Sequence, residues 1–232
     1  MSRKMRGYGM RKTDFKWIIC YFIFFGVVAV LLVTGLFNYF NETHPFIAGF
    51  VQFAMFATSG ELLSSRILYD NWEFNKATAF KALVWGISGL FVTLMFNVLS
   101  LGVPLVMKSG MLPFYGNRFA TALFTSILLN LFFAPVHSAA IRIFSSYGDA
   151  RFLNDRRMNA IEATQSVEWG EFVDFTFFKT VPFFWIPINT IVFLLPRGLQ
   201  VAFAAILSFV FGMLMTVLKL RERRRIGKYI RN

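Results

Sequence analysis

The sequence contains few residues that could carry catalytic or metal chemistry. It has one cysteine, Cys20, and two histidines, His44 and His137. A single cysteine excludes a disulfide within the chain, and a metal centre requires several ligands at defined spacing. The chain also lacks a glycine-rich phosphate loop, a Gly-x-Ser-x-Gly elbow and a His-Glu-x-x-His motif. We therefore expect no enzymatic activity, no bound metal and no cofactor.

Charged residues are also scarce, which excludes an ordinary soluble protein. They make up 16% of the chain, against about 25% in soluble proteins. Hydrophobic residues make up 56%, including 31 phenylalanines, and the mean hydropathy is +0.57. Six apolar runs each reach the ~18–20 residues that a helix needs to cross a bilayer. They are Trp17–Phe37, Phe46–Leu63, Ala79–Met107, Phe119–Phe144, Phe172–Leu195 and Leu199–Leu218.

These runs predict an all-α, polytopic membrane helix bundle of about six transmembrane helices. Pro135 interrupts the fourth run, and Pro182 and Pro187 interrupt the fifth, so two of the helices should be kinked. The short gaps leave no room for a second soluble domain. The one longer gap, residues 146–171, should be a solvated segment with a helix lying on the membrane surface.

Lysine and arginine fall in alternate gaps, which predicts the orientation of the chain. Twenty of the 24 basic residues lie in the two tails, in every second gap, or at the ends of the runs that border those gaps. By the positive-inside rule, both termini should face the cytoplasm or an organelle matrix. The organisation is then a basic inner tail (1–16), the bundle (17–220) and a second basic tail (221–232).

The basic tails should contact lipid headgroups rather than a specific nucleic acid, because they adjoin the membrane directly. Each surface charge contributes about 1 kcal/mol on an anionic membrane. The residues predicted to bind anionic lipid are Arg221, Arg223, Arg224 and Arg225.

Six polar residues within the apolar runs are candidates for a hydrated interior. Such groups are costly in lipid and are functional candidates by default; they are Glu61, Asn97, Asn130, His137, Lys179 and Asn189. Each has a structural alternative, such as reaching the interface or bridging two helices. Glu61 and Lys179 should lie at similar depth, so we also predict that they form an ion pair.

Small and polar residues recur at helical spacing along the third and sixth runs. In the third they include Gly86, Gly89 and Thr93, and in the sixth Ala202 and Ala205. Such stripes allow close helix packing in lipid. Tight packing and the lining of a cavity both remain open interpretations.

From residue 44 onward, about three-quarters of the chain resembles the Mpv-seventeen and peroxisomal membrane protein family. The motifs that carry the resemblance are His44-Pro45, Gly60-Glu61, Asn130 with Pro135, Lys179, Trp185, Asn189 and Pro196-Arg197. The chain departs from the family pattern in having Glu61 instead of Asp, Ser65 instead of Gln, and an additional first run. The resemblance implies a small multi-pass protein of the inner mitochondrial, peroxisomal or bacterial inner membrane. Members of the family are described as weakly selective channels for small solutes.

Two functions are compatible with these features. The first is a channel or passive pore for small solutes, which needs polar groups from several helices to converge on one axis. The second is a non-transporting accessory or scaffold subunit, whose small-residue stripes should face outward onto membrane partner subunits or a second copy of the chain.

Overall fold

The computed structural model describes residues 12–72 and 74–229, with side chains as far as Arg221. It is all-helical over these residues, and six helices are long and apolar enough to cross a membrane. We call them the first to sixth spans: Lys12–Val33, Pro45–Tyr69, Lys76–Lys108, Arg118–Leu153, Trp169–Leu194 and Arg197–Arg221. The sixth helix continues to Tyr229, and two short helices, Leu36–Thr43 and Ala160–Gln165, lie in the connections.

The predicted bundle of six helices is thus confirmed, with corrections at its boundaries. The first span ends at Val33 rather than Phe37, because Gly35 adopts a left-handed φ of 75° that starts a separate helix. Pro104 lies inside the third helix, which ends at Lys108. The fourth helix reaches Leu153. Residues 146–153, which we expected in the solvated segment 146–171, are therefore part of this helix.

Proline positions coincide with π-helical segments in the fourth and fifth spans. Leu129–Phe133 is π-helical just before Pro135, and Asp174–Trp185 is π-helical around Pro182. Proline cannot donate an i→i−4 bond and its ring crowds the preceding carbonyl. The i→i+5 hydrogen bonds of a π-helix accommodate the proline ring locally. π-Helical segments often lie at functional sites.

Successive spans run antiparallel, so the bundle has two distinct ends. At one end Lys81 contacts Asp149, and Arg66 contacts Asp14. We call this the basic end, since it holds the connections in which lysine and arginine concentrate. At the other, the far end, the hydroxyl of Ser100 donates to Gln200 at 3.4 Å.

The core is formed where five spans meet. Its buried residues are Phe53, Phe56, Val92, Phe96, Leu129, Val192 and Ala205. The second and third spans pack closely because glycines remove side chains from their contact. A Cβ on Gly86 would lie 2.6 Å from the ring of Phe50, and one on Gly49 would lie 2.8 Å from the carbonyl oxygen of Gly89. The close packing expected of the third-span stripe is therefore observed.

The first span lies at the edge of the bundle, and none of its apolar window is buried. Its basic end is nevertheless attached firmly. Asp14 is 6% exposed and accepts hydrogen bonds from Arg66 and from Trp72 Nε1. Trp17 stacks on Trp72 with ring centroids 4.9 Å apart. The first span therefore has a lipid-facing body with a polar anchor at one end.

Candidate functional site

Two neighbouring cavities lie within the bundle. The end cavity, of about 490 Å³, lies at the basic end between the second, third, fourth and sixth spans. The central cavity, of about 260 Å³, lies deeper and is lined by the second to sixth spans. Trp85 and Ser208 line both cavities. These two residues therefore separate a charged compartment from a largely uncharged one.

A cluster of charged side chains lines the end cavity, and each comes from a different span. Lys81 Nζ lies 2.9 Å from Asp149 Oδ1 and 3.8 Å from Glu61 Oε2. Trp85 Nε1 donates a hydrogen bond to Glu61 Oε1 at 2.8 Å. The side chains of Glu61 and Asp149 are 34% and 41% exposed, so the cavity keeps them in contact with solvent. The Lys81 ammonium group thus pairs with the carboxylates of both Glu61 and Asp149 in the end cavity.

Local sequence explains the positions of these charges. Asn75 caps the third helix by accepting from the backbone N–H of Thr78, which starts the helix early enough to place Lys81 within it. Thr78, Asn75 and Ser65 add polar groups to the cavity wall. The hydroxyl of Ser65 is buried without a hydrogen-bond partner among the described residues. A solvated compartment satisfies such a group through water or solute.

Two buried asparagines join the fourth and fifth spans in the central cavity. Asn189 Nδ2 donates to Asn130 Oδ1 at 3.3 Å, and Asn130 Nδ2 donates to the carbonyl of Ser126 at 2.8 Å. The Ser126 hydroxyl in turn donates to the carbonyl of Ile186 at 2.8 Å, next to the π-helical segment. These bonds satisfy polar groups that lipid would leave unpaired.

His137 occupies the same cavity nearer the basic end. Its Nε2 forms a hydrogen bond with the Ser88 hydroxyl, and its ring stacks on Phe133 with centroids 5.1 Å apart. Arg142 also lines this cavity, with its guanidinium 5.0 Å from the ring centroid of Phe172. Polar contacts here connect the third span with the fourth.

Apolar side chains close the central cavity toward the far end. Phe53, Val92, Phe96 and Leu129 line it and belong to the core cluster. Phe96 also packs on Phe193 with ring centroids 4.8 Å apart. These side chains form an apolar wall on that side of the central cavity.

Four of the six predicted interior residues line the cavities. Glu61 lines the end cavity, and Asn130, His137 and Asn189 line the central one. Asn97 does not, because its side chain is exposed and donates to the carbonyl of Thr93 on its own helix. Four residues turn an α-helix by about 400°, which is more than one full turn. The side chain of Asn97 is therefore rotated away from the buried face of the helix that contains Thr93.

The predicted Glu61–Lys179 ion pair is wrong. Lys179 pairs with Asp174, and both side chains are about 60% exposed. Residues five apart align along a π-helix, which places Lys179 over Asp174 on the outside. The prediction rested on the similar depth of Glu61 and Lys179 and did not take into account which face of the helix carries Lys179.

Sequence reasoning missed Asp14, Lys81 and Asp149, which it counted as tail or loop residues. A signal was present for Lys81, because Asn75 followed by Thr78 is a helix-start pattern. Arg221 is exposed at the basic end, whereas the side chains of Arg223, Arg224 and Arg225 lie outside the described residues. Their lipid contact stays a prediction.

No protein-family model, no characterised protein and no solved structure matches this chain. The resemblance to the Mpv-seventeen and peroxisomal membrane protein family, from residue 44 onward, therefore stays a prediction. Within the described residues, no group of three His, Cys, Asp or Glu lies close enough to hold a metal ion. The six apolar spans establish the coarser conclusion, that the chain is a multi-pass integral membrane protein.

Proposed function

We propose that this protein is a passive pore for small polar solutes, seen here in a closed conformation. The observation that carries the proposal is that the two cavities are neighbours and share Trp85 and Ser208 in their walls. Five spans contribute to the path, and polar groups from several helices converge on it, as a pore requires. The proposal does not depend on the family resemblance.

The energetic argument starts from the cost of polar groups in a bilayer. Charged residues at membrane depth face bundle interiors or water-filled cavities because lipid does not solvate them. Glu61, Lys81 and Asp149 line a cavity of this kind at the basic end, and that cavity has room for several water molecules. A hydrated compartment that penetrates the bundle from one end and stops at an apolar wall has the form of a closed pore.

The proposed function includes no catalytic step. We also propose that the basic end faces the cytoplasm or matrix, following the positive-inside rule. A single cysteine at Asn159, in a Cys20→Ser background, checks this. Labelling of that cysteine only from the opposite side of the membrane contradicts the orientation.

The small-residue stripes weigh against the alternative function, a non-transporting accessory or scaffold subunit. That alternative requires the stripes of the third and sixth spans to face outward. Gly86 and Gly89 instead contact the second span, and Ala202 and Ala205 are 0% exposed. The stripes are used within the bundle itself.

A liposome leak assay with a matched pair of variants tests the pore. Phe96→Ala shortens a side chain of the apolar wall, whereas Phe91→Ala makes the same change at a position that is 55% exposed on the same helix. We expect Phe96→Ala to raise leakage of a small polar solute such as glycerol several-fold above wild type, and Phe91→Ala to leave it unchanged. Equal leakage from both variants and from protein-free liposomes contradicts a pore at this position.

A further inference from the structure

Arg142 is a cation without a counter-charge at the edge of the central cavity. Its guanidinium lies 5.0 Å from the ring centroid of Phe172, and its side chain is exposed. It forms no ion pair with any described residue, and no described aspartate or glutamate lines this cavity. Glu171, next to Phe172 in the chain, is exposed, and Asp174 pairs with Lys179 instead. We therefore expect the counter-charge of Arg142 to come from another molecule.

The depth of Arg142 in the bundle is close to that of lipid headgroups at the basic end. Phe172 lies three residues, or about 4.5 Å, beyond Trp169, at which the fifth span begins. The Trp169 indole packs edge to face on Phe172, with ring centroids 5.6 Å apart. Tryptophan is enriched where the hydrocarbon of a bilayer meets the headgroups. The Arg142 guanidinium, which lies over the same ring, is therefore near the level of lipid phosphates.

Two hydroxyl groups lie one helical turn deeper than Arg142. Ser138 precedes Arg142 by four residues on the fourth span, and Thr176 follows Phe172 by four on the fifth. Because these spans are antiparallel and Arg142 contacts Phe172, Ser138 and Thr176 lie at similar depth. All four residues line the central cavity. We call this line of contact between the two spans, at Ser138, Arg142, Phe172 and Thr176, the seam.

The hydroxyls of Ser138 and Thr176 differ from most others in the bundle because they form no hydrogen bond. Hydroxyls within helices often donate to the carbonyl one turn earlier, as those of Thr93, Thr125 and Thr190 do at 2.7–2.8 Å. Ser138 and Thr176 have no such bond within the described part of the chain. Neither oxygen is among the fully buried side-chain atoms without a partner, so both remain accessible. These two donors are therefore available to a ligand in the cavity that they line.

We infer that the seam binds a phosphate group, whose oxygens accept hydrogen bonds from the Arg142 guanidinium and from the hydroxyls of Ser138 and Thr176. A phosphate supplies both missing elements, a negative charge and several acceptors. The planar guanidinium binds phosphate oxygens in a bidentate manner. Water satisfies a hydroxyl but brings no charge to Arg142. The phosphate belongs either to a lipid headgroup or to a small soluble molecule, and the site does not depend on the proposed pore.

Paired lipids that differ in the phosphate test this inference. Dimyristoyl phosphatidic acid carries a phosphate where dimyristoylglycerol, with the same acyl chains, carries a hydroxyl. Native mass spectrometry of the full chain in dodecylmaltoside micelles measures the affinity for the first molecule of each lipid. We expect wild type to bind phosphatidic acid at least tenfold more tightly than dimyristoylglycerol, as for a hydrogen bond to a charged group. Arg142→Gln should remove most of this preference. Arg157→Gln removes an exposed charge at the same end of the bundle and should keep it.

Inorganic phosphate distinguishes the two sources of the group. If the natural ligand is a soluble phosphate, millimolar inorganic phosphate should raise the Tm of wild type in micelles and leave that of Arg142→Gln unchanged. If it is a lipid headgroup, only phosphatidic acid should show an effect that depends on Arg142. Both results support a phosphate site at the seam. Equal affinity of wild type for the two lipids, together with no rise in Tm, overturns it.

A second variant keeps the test decisive if Arg142→Gln does not fold. Ser138→Ala removes one donor and should weaken phosphatidic acid binding about fivefold, as for one net hydrogen bond. Ser109→Ala makes the same change at an exposed position at the far end and should have no effect. Unchanged affinity in Ser138→Ala contradicts the inference, as do equal losses in Arg142→Gln and Arg157→Gln, which would show a general effect of charge.

Discussion

Replacing Asp14 with asparagine should destabilise the protein measurably, although this residue lies in a segment whose sequence resembles a basic tail. Asp14 accepts from Arg66 Nε and Nη2, both at 2.6 Å, and from Trp72 Nε1 at 2.7 Å. Asparagine keeps the shape but removes the charge and turns one acceptor into a donor. Donors on Arg66 or Trp72 would then face a donor across a buried contact.

The expected magnitude lies between two limits. Exposed ion pairs contribute about 0–1 kcal/mol, whereas removing one partner of a fully buried pair costs about 3–5 kcal/mol. The side chains of Arg66 and Asp14 are 12% and 9% exposed, but they lie at the end of the bundle rather than in its centre. We therefore expect a loss of about 2 kcal/mol, which lowers Tm by about 4–8 °C in a chain of this length.

Asp155→Asn is the matched control, because Asp155 pairs with Arg151 at 2.9 Å in an exposed setting. The Asp155 side chain is 96% exposed and its backbone φ is 47°, a conformation that asparagine also tolerates. Thermal unfolding in micelles should show a shift below about 1 °C for this variant. Equal shifts for Asp14→Asn and Asp155→Asn would refute the argument that Asp14 anchors the first span.

Two further substitutions test the packing and the end cavity. Gly86→Leu should prevent normal folding, since even a Cβ would lie 2.6 Å from Phe50. A Cβ on Gly102 would meet no atom within 4 Å, so Gly102→Leu should fold as wild type. Monodispersity on size-exclusion chromatography distinguishes the two variants. Lys81→Met leaves two carboxylates of the end cavity without their shared cation and should lower stability by about 1–2 kcal/mol. Lys179→Met removes only an exposed pair and should cost less than about 0.5 kcal/mol, so similar unfolding midpoints for both lysine variants contradict the assignment.

Hydropathy and proline spacing predicted most of the fold, because a bilayer imposes a minimum length on every apolar helix. The same reasoning failed where helix geometry changed within a span. Lys179 lies in a π-helical segment, whose longer turn places it outside the bundle beside Asp174. Proline indicates that a helix is perturbed but does not determine whether the perturbation is a kink or a π segment.

Some residues of the candidate site could be predicted because their own position in an apolar run indicates burial. Others could not, because their burial depends on contacts with distant parts of the chain. Asn130 and Asn189 are polar residues in apolar runs, so the cost of exposing them to lipid is evident from the sequence. Lys81 and Asp149 lie near helix ends, where charges are ordinarily solvated. Only the packing of the third span against the fourth reveals that both face a shared cavity.

The hydrogen bonds of the central cavity also bear on selectivity in the proposed pore. Asn130 and Ser126 are bound to each other, and the Ser126 and Thr190 hydroxyls both donate to the carbonyl of Ile186, at 2.8 and 2.7 Å. These side chains already form hydrogen bonds to backbone carbonyls near the π-helical segments, so they are not free to bind a solute. Specific recognition requires convergent polar groups that the solute itself satisfies. Chemical discrimination should accordingly arise at the end cavity, where Glu61, Lys81 and Asp149 meet solvent, while the central cavity selects by size.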